Sequence, residues 1–168
     1  SAFRANGHKT HARDLRHHEA GPAPARDLKA LALTSMRDYA DDVSALIETL
    51  GEPAILVGHS MGGLLAQMIA ARGQARALIL FAPSAPWGLI SSSWEQYASA
   101  FGLYMTAGHF WEQAIHPAYD IAAEHALNRM PRGEREEVFS RFVPESGRAV
   151  FEILQWWLDL SRATDVPV

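Results

Sequence analysis

Residues 54 to 65 constrain the fold more than any other stretch. Ala54-Ile55-Leu56-Val57 runs straight into Gly58-His59-Ser60-Met61-Gly62-Gly63, and an apolar helical pattern through Leu64, Leu65, Met68 and Ile69 leaves it. A short, continuously apolar run bounded in this way is what a strand covered on both faces requires. Glycines around a single serine allow a sharp turn from strand to helix, because side chains two residues before and after Ser60 would meet the neighbouring strand and helix. Such a turn presents the Ser60 hydroxyl above a sheet. It also leaves the Met61 N–H at a helix N-terminus, where unpaired donors and the helix dipole favour an oxyanion. A glycine-rich turn with an incidental serine would give the same string.

The same alternation continues on either side. A second apolar run, Ala77 to Phe81, follows the helix, whose end is marked by Gly73, and a weaker run spans His8 to Ala12. Ser35 with Asp38 three residues later opens another helical pattern over Tyr39, Val43, Leu46, Ile47 and Leu50, which Gly51 and Pro53 stop. Strands near 8–12, 54–58 and 77–82, joined through helices, predict an α/β fold with a parallel sheet. Beyond Pro83 the pattern changes. From Ser91 to Ala163 no strand is evident, and helices are predicted over Trp94–Thr106, Tyr119–Arg129, Arg132–Phe142 and from about Ser146. All five tryptophans (Trp87, Trp94, Trp111, Trp156, Trp157) lie in this half.

Composition excludes whole classes of function. At 168 residues and 48% hydrophobic, the chain has enough apolar material for one real core. No run of about 18 apolar residues is present, so no membrane span is predicted. A net charge of −4 gives no electrostatic reason to expect nucleic acid as a partner. With no cysteine, thiol catalysis and thiolate metal sites are excluded. No targeting segment is visible, and the cytoplasm is the expected compartment.

The elbow-like turn and its flanks resemble the α/β-hydrolase fold family over nearly the whole chain. Pro53 to Leu65 is similar to the family's I-L-V-G-H-S-M-G-G segment. Ala77 to Pro83 resembles the strand that follows it. His8 to Leu15 resembles the strand before a D-x-R-G-x-G loop, here Asp14-Leu15-Arg16-His17-His18-Glu19, with two glycines replaced. The tryptophan-rich helices resemble a cap. The resemblance implies a partial doubly wound parallel sheet with a helical cap: residues 1–85 as core, 86–163 as cap and 164–168 as the start of a return to the core. It implies a serine hydrolase of the esterase or lipase type, with Ser60 as nucleophile and Met61 N–H in the oxyanion hole. Gly58, His59, Gly62 and Gly63 complete the nucleophile elbow, the substrate is a small acyl compound, and neither cofactor nor metal is implied. In the family the acid and base follow on later strands, so both are expected beyond residue 168, and the chain reads as an internal fragment that is inactive alone. A perhydrolase or acyltransferase would use the same nucleophile. A ligand-binding module on the same scaffold, without turnover, is the alternative of a different class.

The remaining candidates divide by position. His109, His116 and His125, near Asp120 and Glu124, fall in the cap pattern and read as surface or packing residues instead of a base. His8, His11, His17 and His18 do not suggest a metal, since positions three apart on a strand face opposite sides. Asp14 and Arg16 are expected to fix their loop. Trp87 and Trp111 border the cap and are candidates for pocket lining. Glu145 and Arg148 are candidates either for orienting a polar group of the substrate or for structural ion pairing.

Overall fold

The computed structural model describes residues 2–19, 27–85, 108–155 and 166–168. After a short helix α1 (Ala2–Ala5), the chain forms α2 (Leu28–Ala32), α3 (Met36–Leu50), β1 (Ala54–His59), α4 (Met61–Ala71) and β2 (Ala75–Phe81). Helix α3 begins at a reciprocal capping box. Ser35 Oγ accepts from Asp38 N–H at 3.1 Å and Asp38 Oδ2 accepts from Ser35 N–H at 2.8 Å. It ends at Gly51, whose φ of 77° is the left-handed conformation that glycine adopts without a steric penalty.

Strands β1 and β2 are parallel, with Leu56 opposite Leu78, Val57 opposite Ile79 and His59 opposite Phe81. Helix α4 connects them and lies between two apolar layers. Ala66 and Ala70 meet Leu56, Leu78 and Leu80 of the sheet. Leu64, Leu65, Met68 and Ile69 meet Met36, Tyr39, Ala40 and Ile47 of α3. The all-round apolar character of α4 follows from this double burial. The opposite sheet face is uncovered: Ile55 is 59% exposed, Val57 49% and Phe81 57%. On the far edge of β2, Leu78 N–H donates to Pro167 O at 2.8 Å, and Val166 packs beside Leu78.

Among the described residues, the second half contains a 3₁₀ turn (Phe110–Glu112), β3 (Ala114–Ile115), α5 (Tyr119–Ile121), α6 (Arg132–Phe139), β4 (Glu145–Ser146) and α7 (Gly147–Leu154). Ser146 caps α7 by accepting from Ala149 N–H. Among the described residues, no helix is long and apolar enough to cross a membrane.

Three expectations are corrected. His8–Ala12 is not a strand: it has no ladder partner among the described residues, and His8, Lys9, His11 and Ala12 present an exposed, mostly polar surface that no sheet covers. The second half is not wholly helical, since β3 and β4 pair antiparallel, Ala114 with Ser146 and Ile115 with Glu145. The helix predicted over Tyr119–Arg129 becomes α5 and then a π-type turn over Ala122–Ala126, closed by Leu127 N–H to Ala122 O at 2.7 Å. The predicted helix over Trp94–Thr106 lies outside the described residues, as do Trp87, Trp156 and Trp157.

Candidate active site

Ser60 sits at the junction of β1 and α4 with φ 51° and ψ −121°, a conformation that costs a non-glycine residue about 1–3 kcal/mol. The strain is held by the end of β2. Ser60 N–H donates to Phe81 O at 3.1 Å, and Ser84 N–H donates to Ser60 O at 3.0 Å. Gly63 N–H also donates to Ser60 O, at 2.9 Å, so the first turn of α4 closes on the same carbonyl. Ala82, just past β2, has φ 39°, which places a second strained residue beside the first. Ser60 is exposed and its hydroxyl caps nothing in α4. Among the described residues, the Met61 N–H has no acceptor and opens the helix beside that hydroxyl.

The glycines have unequal roles. A Cβ at Gly58 would lie 2.6 Å from Gly62 C and 2.7 Å from Gly63 Cα, and a Cβ at Gly63 would lie 2.7 Å from Pro83 Cβ. A Cβ at Gly62 would meet nothing within 4 Å. The crowding expected two residues either side of Ser60 is therefore present before it and absent after it; Gly63, one position further on, is the crowded residue. The cause is the path of β2, whose continuation through Pro83 crosses over the start of α4.

His59 is exposed at the end of β1, opposite Phe81. Among the described residues, no histidine hydrogen-bonds the Ser60 hydroxyl. His109 stacks on Trp111 with ring centroids 4.9 Å apart, and His116 is exposed. No group of three His, Asp or Glu side chains in the described residues could hold a metal. Trp111 belongs to an aromatic cluster, its ring 5.2 Å from Phe151 and 5.6 Å from Phe110. Arg148 pairs with Glu152 one helical turn away, at 3.1 Å. Glu145 turns inward to accept from the Tyr39 hydroxyl at 2.7 Å and from Ser146 N–H at 2.6 Å. The elbow residues are thus brought together, while Trp111, Glu145 and Arg148 gather around β4 and α7.

The model of the alpha/beta hydrolase family matches residues 1–168. The chain belongs to this family. Among solved structures, an extracellular alpha/beta-hydrolase from a Paenibacillus species, described as sharing structural and functional homology with tobacco salicylic acid binding protein 2, is similar at a TM-score of 0.71 and 18% identity. The match covers 98% of this chain, which spans 64% of that structure's length. A monoacylglycerol lipase from Paleococcus ferrophilus is matched at a TM-score of 0.41 and 19% identity, over 74% of this chain and 48% of that one. No curated protein matches.

This hydrolase-family chain also contains a polar cluster that sequence patterns do not reveal. Tyr39 reads as one more apolar-face residue of α3, and it is fully buried, yet its hydroxyl ends on Glu145. Burial and the adjacent carboxylate both push the Tyr39 phenol above its ordinary range. Arg16 does fix its loop: its guanidinium grips Asp42 at 2.5 and 2.7 Å and reaches Asp38 at 3.3 Å. Arg13, Asp14, Leu15, His18, Arg141, Val143 and Glu145 line an open groove of about 470 Å³. Ser60 is not part of that lining.

Proposed function

We propose that the protein is a serine hydrolase that cleaves an ester or a related acyl bond of a small molecule through an acyl-enzyme on Ser60. The observation that carries this reading is the strained Ser60, exposed, with its hydroxyl free of the helix and next to a Met61 N–H that has no acceptor among the described residues. Ser60 Oγ forms a bond to the substrate carbonyl carbon while its proton passes to a histidine base. The carbonyl oxygen becomes an oxyanion and accepts from Met61 N–H. Collapse expels the alcohol, which takes the proton, and water then attacks the acyl-enzyme by the same route in reverse. Among the described residues no histidine hydrogen-bonds the Ser60 hydroxyl, so this reading takes the base and its acid partner from outside them. Serine at the elbow favours this chemistry over the branches of the fold that resemble it but use an aspartate there.

The family membership supports hydrolysis in general, and the Paenibacillus neighbour, at 18% identity, carries no substrate across. Reaction of the whole protein with a fluorophosphonate probe tests the proposal. Labelling confined to Ser60 and abolished by Ser60→Ala is expected. A folded protein that stays unlabelled while still binding acyl ligands would make it a binding module instead.

A further inference from the structure

Outside the elbow, the most closely connected polar cluster joins the turn Leu15–His18, helix α3 and the junction of β4 with α7. His18 is at its centre, with its side chain only 11% exposed. Its Nδ1 lies 3.1 Å from the Arg16 carbonyl oxygen and its Nε2 lies 3.4 Å from Glu145 Oε2. Both neighbours can only accept. Nε2 forms no hydrogen bond among the described residues, so its approach to Glu145 is an attraction of charges that exists only in the imidazolium, whereas an Nδ1 proton meets the Arg16 carbonyl in either state. Glu145 Oε1 is meanwhile engaged by Tyr39 and by Ser146 N–H. Burial alone would push this carboxyl up, but His18, the Tyr39 hydroxyl and the Ser146 N–H together hold it below the ordinary range.

The turn itself does not depend on this contact. His18 N–H closes onto Leu15 O at 3.0 Å, His17 takes the strain at φ 64°, and Arg16 ties the loop to α3 through Asp42 and Asp38. The His18 ring is therefore presented to Glu145 by a loop anchored elsewhere. We propose that His18 is an imidazolium latch that fastens the β4–α7 segment to the core, so that loss of one ring proton loosens that segment. Among the described residues, the groups packed against it include Glu145 from β4 and the Tyr39 ring from α3, 5.9 Å away. Arg13 and Asp14 of its own loop, with Arg141 before β4, share its groove. By sign of charge Glu145 and Asp14 favour the proton and Arg13 and Arg141 oppose it, and Glu145 lies at ion-pair distance from the ring. Because His18 and Glu145 both line that groove, release of the latch alters its wall.

The test follows the His18 ring nitrogens by NMR alongside amide hydrogen exchange of residues 146–151, in the full chain, from about pH 5.5 to 9. Both nitrogens are expected to be protonated at the acid end. Protection at the Ala149 amide, corrected for intrinsic exchange, is expected to fall about tenfold in step with loss of the ring proton. His18→Gln should abolish the pH step, and Tyr39→Phe, which leaves the ion pair, should keep it. A ring that is a single neutral tautomer throughout, or a step that survives in His18→Gln, would overturn the proposal. If His18→Gln does not fold, the wild-type comparison decides: a ring titration and a protection step that do not coincide also refute it.

Discussion

Pro83 lies against the α-carbon of Gly63 so closely that any added Cβ there would sit 2.7 Å from the proline Cβ and 3.0 Å from its Cα. The contact links the segment after β2 to the first turn of α4. With the Ser60–Phe81 and Ser84–Ser60 hydrogen bonds, it clamps the elbow between two strand ends. The strain at Ser60 persists because its surroundings leave it no alternative.

Gly63→Ala should therefore displace either Pro83 or α4 and lower fluorophosphonate labelling of Ser60 by about tenfold or more, as expected for a reacting group moved by a fraction of an ångström. Gly62→Ala adds a methyl to open space in a helix and should keep labelling within about twofold while raising helix propensity. Measuring both variants at matched thermal stability separates misplacement from unfolding. Equal labelling would remove the clamp from the account.

A second expectation concerns Ser146, which is fully buried. Its hydroxyl lies 2.6 Å from Thr34 O and 3.1 Å from Ala32 O, and accepts from Ala149 N–H at 3.2 Å. Ser146→Ala strands a buried carbonyl and uncaps α7, so a loss of about 1–3 kcal/mol in urea unfolding is expected. A loss below about 0.5 kcal/mol would show that the β4–α7 junction does not unfold with the core.

What could be read locally and what could not divide along the sequence separation of the contacts involved. The glycines around Ser60, the Ser35–Asp38 box and the Gly51 stop lie within a few positions of what they shape, and their signals lie in the sequence, whereas the hold of Phe81, Pro83 and Ser84 on the elbow comes from more than about twenty positions away. The Tyr39–Glu145 hydrogen bond spans 106 residues, and Ser146 reaches 112 residues back to Thr34. Neither has a periodicity to betray it. His8–Ala12 misled for the converse reason: a run resembling a family strand is not a strand without a ladder beside it.

Acid should weaken the fold through two carboxylates. The Asp38 carboxyl is lowered by the hydrogen bonds from the Ser35 hydroxyl and backbone N–H, and Arg16 adds to this; burial raises Glu145, but His18, the Tyr39 hydroxyl and the Ser146 N–H together lower it. A group with a folded pKa below its unfolded value contributes stability that is present above the unfolded pKa and is lost as pH falls through the folded one. Through these two groups the urea midpoint should thus fall below about pH 4.5. Ser35→Ala should lower the midpoint at neutral pH and flatten part of that acid slope. An unchanged slope would assign the acid sensitivity to other carboxylates.

The uncovered sheet face should govern how the chain behaves in solution. Ile55, Val57, Ile79 and Phe81 are 59%, 49%, 37% and 57% exposed, and the β1–β2 register places them side by side on one face. Four large apolar side chains in one patch favour association, and β1 has no second ladder partner among the described residues, so its edge can accept another strand. The 168-residue chain is expected to self-associate as its concentration rises, read by light scattering. Ile55→Thr with Val57→Thr keeps β-branched residues in the strand while removing apolar area, and should reduce the association without lowering the melting temperature. Those two positions lie on the face away from α4, so the core is untouched. A wild-type chain that stays monomeric over the same range would mean that this face is covered in solution.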